Sequence, residues 1–170
     1  MPADAKTHIV VGVDASEGAN AALRWAISEA RLRDARLRAV FAWTLTYPPV
    51  EGYGYLVGTL GSAPPGGMSD QRRGAEQVLE RAIARLRPEA AGVDIELQVV
   101  EGPAADALVE AAAEADLLVV GSRGHGGFVG LLLGSVSQQC AHRASCPVVI
   151  VPPAGRADPQ SKRAHAGATA

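Results

Sequence analysis

The stretch IVVGVDASEGANAALRWA, Ile9 to Ala26, decides how the rest of the chain is read. It begins as a short run of Val and Ile that stops at an acid, the composition of a buried strand, and we place that strand over HIVVGVD, residues 8–14. Ser16 then stands where a hydroxyl can accept from the amides that open a helix. Past it, Ala22, Trp25, Ala26, Glu29 and Ala30 fall along neighbouring turns, so the helix runs to about Arg33.

Outward from this unit the alternation continues. ARLRAVFAW (35–43) reads as a second strand. Residues 44–69, rich in proline and glycine and carrying Tyr47, Tyr53 and Tyr55, have no period; a connection of that length is suspect as a flap. From Asp70 onward Ala75, Val78, Leu79, Ala82, Ile83 and Leu86 recur at helical spacing to Arg87, where Pro88 stops the helix. DIELQVV (94–100) sets Ile95, Leu97 and Val99 against Glu96 and Gln98, as expected of an edge strand with one wetter face. Gly102 and Pro103 open a helix over 103–115, DLLVVG (116–121) is a fourth strand, and a glycine-rich segment leads to a helix over 135–144. Pro147 precedes the fifth strand, VVIV (148–151), and residues 153–170 lack any large apolar side chain and read as a disordered tail. Strands alternating with helices imply a doubly wound α/β fold with a parallel sheet between two helical layers. Ligands in such folds sit beyond the carboxyl ends of the strands, where the strand order reverses. Spacing alone leaves that order open.

Composition narrows the function. The chain has 170 residues, 48% apolar and 20% charged, which suits one soluble domain. A net charge of −2 provides no basic field for nucleic acid. The apolar runs are too short to span a bilayer and the N-terminus lacks a signal-peptide core, so no membrane is expected and the cytoplasm is the expected compartment. Cys140 and Cys146, with five residues between them, match neither a redox pair nor a zinc pair and read as buried thiols.

Chemistry concentrates in GSRGHGGFVGLLLGSV, residues 121–136. Gly121 and Gly124 follow a buried strand, where missing side chains let backbone amides converge and a ligand approach the main chain. Gly134 and Ser135 stand at the start of the next helix, whose free amides and dipole favour an anion. Arg123 can pair with a phosphate, His125 lies inside the loop, and Phe128, Val129 and Leu131 to Leu133 can anchor it. The segment reads as a phosphate cradle. It is not a Walker loop, since no lysine lies between Lys6 and Lys162, and GVDASEG after strand one is not a dinucleotide fingerprint.

The spacing of Gly121, Gly124, Gly134 and Ser135, G-x2-G-x9-G-S, resembles the nucleotide signature of the universal stress protein family. IVVGVDASEGANAALRWA resembles the family's opening strand and helix, CPVVIVP (146–152) its closing strand, and the resemblance covers residues 7–152. It implies a five-stranded sheet in the order 3-2-1-4-5, with ATP or a related adenine nucleotide at the ends of strands one and four. Asp14 would lie near ribose and phosphates and hold Mg²⁺. The 121–124 turn would cover ribose and phosphate, and Gly134, Ser135 and Val136, with Ser137 beside them, would serve the phosphates. Ala42 matches the adenine-contacting position, Val120 forms a second wall, and Ala15 and Ser16 complete the slot.

With neither a Walker lysine nor an evident base, the expected role is a nucleotide-binding stress-response or signalling module. Slow ATP hydrolysis and cyclic AMP binding are the alternatives. The implied order leaves the uncharged fifth strand at an edge, which points to a homodimer through residues 147–152. A protein partner that reads the nucleotide state is a further expectation.

Overall fold

A computed structural model describes residues 6–44, 68–124 and 133–153. Most of the 44–69 connection with its three tyrosines, His125, Phe128, Val129, Leu131, Leu132 and the tail from 154 lie outside the described residues. The described elements are β1 (His8–Gly12), α1 (Glu17–Arg33), β2 (Arg36–Trp43), α2 (Met68–Arg85), α3 (Arg87–Ala90), β3 (Ile95–Glu101), α4 (Ala104–Ala111), β4 (Leu117–Gly121), α5 (Ser135–Arg143) and β5 (Val148–Val151). Five strands form one parallel sheet in the order β3-β2-β1-β4-β5, as expected.

The continuous apolar runs are explained by helices on both faces. Ile9 and Val11 of β1, Leu37 and Ala39 of β2, and Leu117 and Val119 of β4 point to one side, against Leu23, Ala26 and Ile27 of α1 and Leu79 and Ala82 of α2. The intervening residues Val10, Val40, Leu118 and Val120 point to the other, against Leu108 of α4 and Cys140 of α5. Burying each such Leu, Ile or Val contributes roughly 1.5–3 kcal/mol, so both faces of the three central strands are held firmly. Burial also pushes the thiol of Cys140 up, against the opposing pull of Arg143, and raises that of Cys146.

Several boundaries differ from the sequence reading. β1 ends at Gly12; the Val13 amide still donates to the Val40 carbonyl at 2.9 Å, but Asp14 already lies in the turn. The long helix ends at Arg85, and Pro88, rather than stopping it, sits in the first turn of the short α3, where a missing amide hydrogen costs nothing. α4 ends at Ala111, because Ala113 and Ala115 donate to the carbonyls of Glu110 and Ala112 in tight turns. On the edge strand β3, Ile95 and Val99 pack toward the α1–α2 side while Leu97 remains 42% exposed. Among the described residues no helix is long and apolar enough to cross a membrane.

Candidate functional site

The sheet order reverses between β1 and β4, and a cleft of about 330 Å³ opens beyond the carboxyl ends of β1, β2 and β4. Its volume lies within the usual range for small-molecule sites, about 300–1,000 Å³. Val40, Ala42, Leu108 and Val120 give it an apolar lining; Asp14, Arg123, Gly124 and the first turn of α5 give it a polar one.

Asp14 is held by its own turn. Its Oδ1 accepts from the Ser16 amide at 2.9 Å, across Ala15, which adopts φ 64°. That left-handed conformation costs a side-chain-bearing residue on the order of 1–3 kcal/mol, a strain that the carboxylate bond and the helix cap just beyond it offset. Ser16 supplies the cap: its Oγ accepts from the Ala19 amide at 3.1 Å. Ser16 therefore starts α1, and neither it nor Ala15 lines the cleft.

The motif glycines are filled from within. A Cβ on Gly121 would lie 2.6 Å from the main-chain carbon of Gly18, so this glycine lets the first turn of α1 press against the end of β4. On Gly124 it would meet the Oδ2 of Asp14. Between them, Ser122 ties the site together through its backbone. Its amide donates to the Val151 carbonyl at 2.7 Å, and its carbonyl accepts from the Gly134 amide at 2.7 Å and the Ser137 hydroxyl at 3.2 Å.

These bonds fix what the start of α5 can offer. Gly134 is the N-cap, and its amide is already engaged with Ser122. The Ser137 hydroxyl, also donating to the Gly134 carbonyl at 2.9 Å, is internal. The first intrahelical bond is Gln138 to Gly134, at 3.0 Å. The amides of Ser135, Val136 and Ser137 thus precede the helical ladder, at the positive end of the helix dipole.

The cleft gathers Asp14, Ala42, Val120, Gly121, Arg123, Gly124, Gly134, Ser135, Val136 and Ser137 from the sequence reading. It adds Val40, Ala104, Leu108 and Gln138, which that reading missed. Val40 was within reach, two residues before Ala42 and so on the same face of β2. Leu108, one helical turn beyond Ala104, could be placed only once α4 was known to cover this end of the sheet. Asp14 is the only carboxylate on the described lining, and the described residues contain no group of three or more potential metal ligands.

Comparison with known proteins agrees with this architecture. The model of the Universal stress protein family matches residues 6–152. A universal stress protein of Mycobacterium tuberculosis is 34% identical over 145 residues, covering 84% of this chain and 47% of the relative. The chain thus spans about half the length of the curated relatives it matches. A universal stress protein solved in complex with cAMP is 30% identical with a TM-score of 0.65, the match covering 89% of this chain and 100% of that one. The universal stress protein of Archaeoglobus fulgidus solved in complex with dAMP is 26% identical with a TM-score of 0.57, covering 85% and 97%. With the 3-2-1-4-5 parallel sheet and a family match running through nearly all of the described residues, this chain belongs to the universal stress protein family.

Proposed function

We propose that this chain is an adenine-nucleotide-binding module of the stress response, holding ATP or a related adenylate in the cleft at the ends of β1 and β4. One observation carries the reading: an apolar lining of Val40, Ala42, Leu108 and Val120 shares a single cleft with Ser135, Val136 and Ser137, the residues that open α5. A purine needs the first and a phosphate the second. The cAMP and dAMP complexes of the relatives support the same ligand class. Asp14 suits the ribose side, and it fits Mg²⁺ as a nucleotide-bound ion, since that ion uses one or two carboxylates beside phosphate oxygens and water. Bound there, Mg²⁺ would supply positive charge to the phosphates.

Affinity should be modest. Hydrogen bonds to charged oxygens contribute roughly 1.5–3 kcal/mol each, against an association cost of about 4–15 kcal/mol. The apolar lining must then supply much of the roughly −8 kcal/mol that micromolar binding requires. Mass spectrometry of nucleotide released from the purified chain, followed by calorimetric titration with ATP, AMP and cyclic AMP, tests the reading. Retained or titratable adenylate is the expected result, and no binding up to about 1 mM, equivalent to −4.1 kcal/mol, would sink it. Preference for cyclic AMP is the second reading, favoured by the cAMP-bound relative at 30% identity. A turnover assay with Mg²⁺ separates a binding module from a slow ATPase.

The same proposal places the chain in the cytoplasm, as a homodimer through residues 147–152. β5 pairs with β4 along one side only, leaving Val148–Val151 at the sheet edge between Pro147 and Pro152. Sedimentation equilibrium across a concentration series is expected to give twice the chain mass. A protein partner that senses the bound nucleotide completes the proposed role.

A further inference from the structure

We propose that Leu108, seated on Gly12, is the stop that fixes how deep a base enters the cleft, so that the site takes a bare purine ring and rejects an alkylated one; this rests on the adenine-nucleotide reading above. α4 begins at the carboxyl end of the sheet and runs back along it. Of its two residues on the lining, Ala104 therefore stands nearer the mouth and Leu108 deeper, by roughly 6 Å at 1.5 Å per residue. The strands repeat these two levels. Ala42 lies roughly 6.5 Å beyond Val40 on the same face of β2, and Val40 is the register partner of Gly12 on β1.

The two levels are filled differently. At the upper one Ala104 and Ala42 each bring only a methyl group to the lining. At the lower one Gly12 brings no side chain, and Leu108 takes that room: a Cβ on Gly12 would lie 2.9 Å from one Leu108 methyl and 3.2 Å from the other. Leu108 is 5% exposed and packs in one cluster with Val40 and Val120. Its isobutyl group is thus backed by the main chain of β1 and flanked by packed valines, and an interior this dense does not yield to a ligand that presses on it. Such a stop sorts ligands by size, since a surplus methylene against a closed apolar wall changes affinity by about tenfold or more.

The test titrates the full chain with AMP and with AMP analogues carrying methyl or propyl at N6, C2 or C8, which lie on different edges of the ring. Wild type, Leu108→Val and Leu108→Ala are compared, with circular dichroism melts to confirm folding. Wild type should bind AMP at least about tenfold more tightly than the analogues alkylated at one of these edges. Leu108→Val should recover the methyl analogue at that edge and Leu108→Ala the propyl one, each gaining about tenfold relative to AMP. Leu108→Val, the milder truncation, decides the matter if Leu108→Ala does not fold. A wild type that takes every analogue as well as AMP, analogues still excluded by the folded variants, or AMP and analogues weakened alike would overturn the assignment while leaving the nucleotide site standing. A wild type that binds no adenylate would overturn both.

Discussion

The two ends of the sheet treat charge in opposite ways. At the amino ends of the strands a cavity of about 90 Å³ is bordered by His8, Arg36, Arg38, Asp94, Glu96 and Glu114, and both of its arginines are paired: Arg36 meets Asp94 at 3.2 Å and Arg38 meets Glu96 at 3.1 Å. At the carboxyl ends the cleft is larger, about 330 Å³, and the Arg123 guanidinium on its lining makes no ion pair among the described residues. Connectivity is the cause. In a parallel sheet every following helix begins at the carboxyl end, so α1, α4 and α5 start there with amides that precede the helical ladder, while their carbonyl-rich last turns return to the other end. Basic residues collect where the carbonyls are, as with Arg31 and Arg33 on α1 and His142 and Arg143 on α5. The lesson is that one end pairs its arginines within the sheet, while the other gathers the helix-opening amides that the proposed nucleotide site requires.

The strongest way to break this contrast is to disturb the frame that aims the amides. Gly121→Ala would place a Cβ 2.6 Å from the backbone of Gly18, and neither main chain can turn aside. Overpacking of this kind costs roughly 1–3 kcal/mol, and a backbone clash belongs at the upper end. For a chain of this length the melting temperature should drop by roughly 6–12 °C, read by circular dichroism. An unchanged melting curve would mean that α1 does not press on β4 as described.

Gly124→Leu sharpens the same point with a different readout. Its Cβ would meet the end of the Asp14 side chain rather than a main chain, so Asp14 can swing away at the loss of its bond to Ser16. Stability should fall less than in Gly121→Ala, by about 1–2 kcal/mol for the disturbed Asp14 turn, whereas AMP affinity should fall at least about tenfold, or ~1.4 kcal/mol. Two glycines three residues apart are thus expected to weigh differently on folding and on binding. Full AMP affinity in Gly124→Leu would remove the 121–124 turn from the site.

That difference could not be read from the sequence, where both glycines look alike. The alternation of strands and helices was legible because Val and Ile runs and helical spacing are local properties. The strand order came from resemblance, since spacing left it open. Where the reading failed, a distant partner decides. Residues 112–115 continue an alanine-rich helical pattern, yet α4 stops at Ala111 and the chain turns, bringing the Asp116 carboxylate to the His8 amide at 2.8 Å. Ser122 escaped notice because it works through its carbonyl, which every residue has. Gly134 was expected to serve a phosphate, but its amide is engaged with that same carbonyl.

The two thiols give a smaller effect with a definite sign. Burial raises Cys140 and Cys146 above the usual thiol value of about 8.5 in the folded chain. The unfolded chain therefore loses these protons first as pH rises. The stabilisation is complete below about pH 8.5 and is lost as pH climbs through the folded values. Urea melts should show a steeper loss of stability above pH 9 in the wild type than in Cys140→Ala/Cys146→Ala; equal slopes would assign the alkaline loss to other groups.

The smallest expected effect tests the end that pairs its arginines. Arg38→Gln removes the guanidinium facing Glu96, with side chains 31% and 60% exposed. Water and salt screen such a pair, so the loss should stay within about 1 kcal/mol, and a double-mutant cycle with Glu96→Gln should return a coupling no larger. AMP affinity should not move, because Arg38 lies at the amino ends of the strands, away from the α5 amides. A fall in AMP affinity here of about tenfold or more would mean that net positive charge attracts the nucleotide, wherever on the molecule it sits. The contrast between the two ends would then lose its chemical meaning, because it holds only if position on the sheet, and not charge alone, decides where the nucleotide binds.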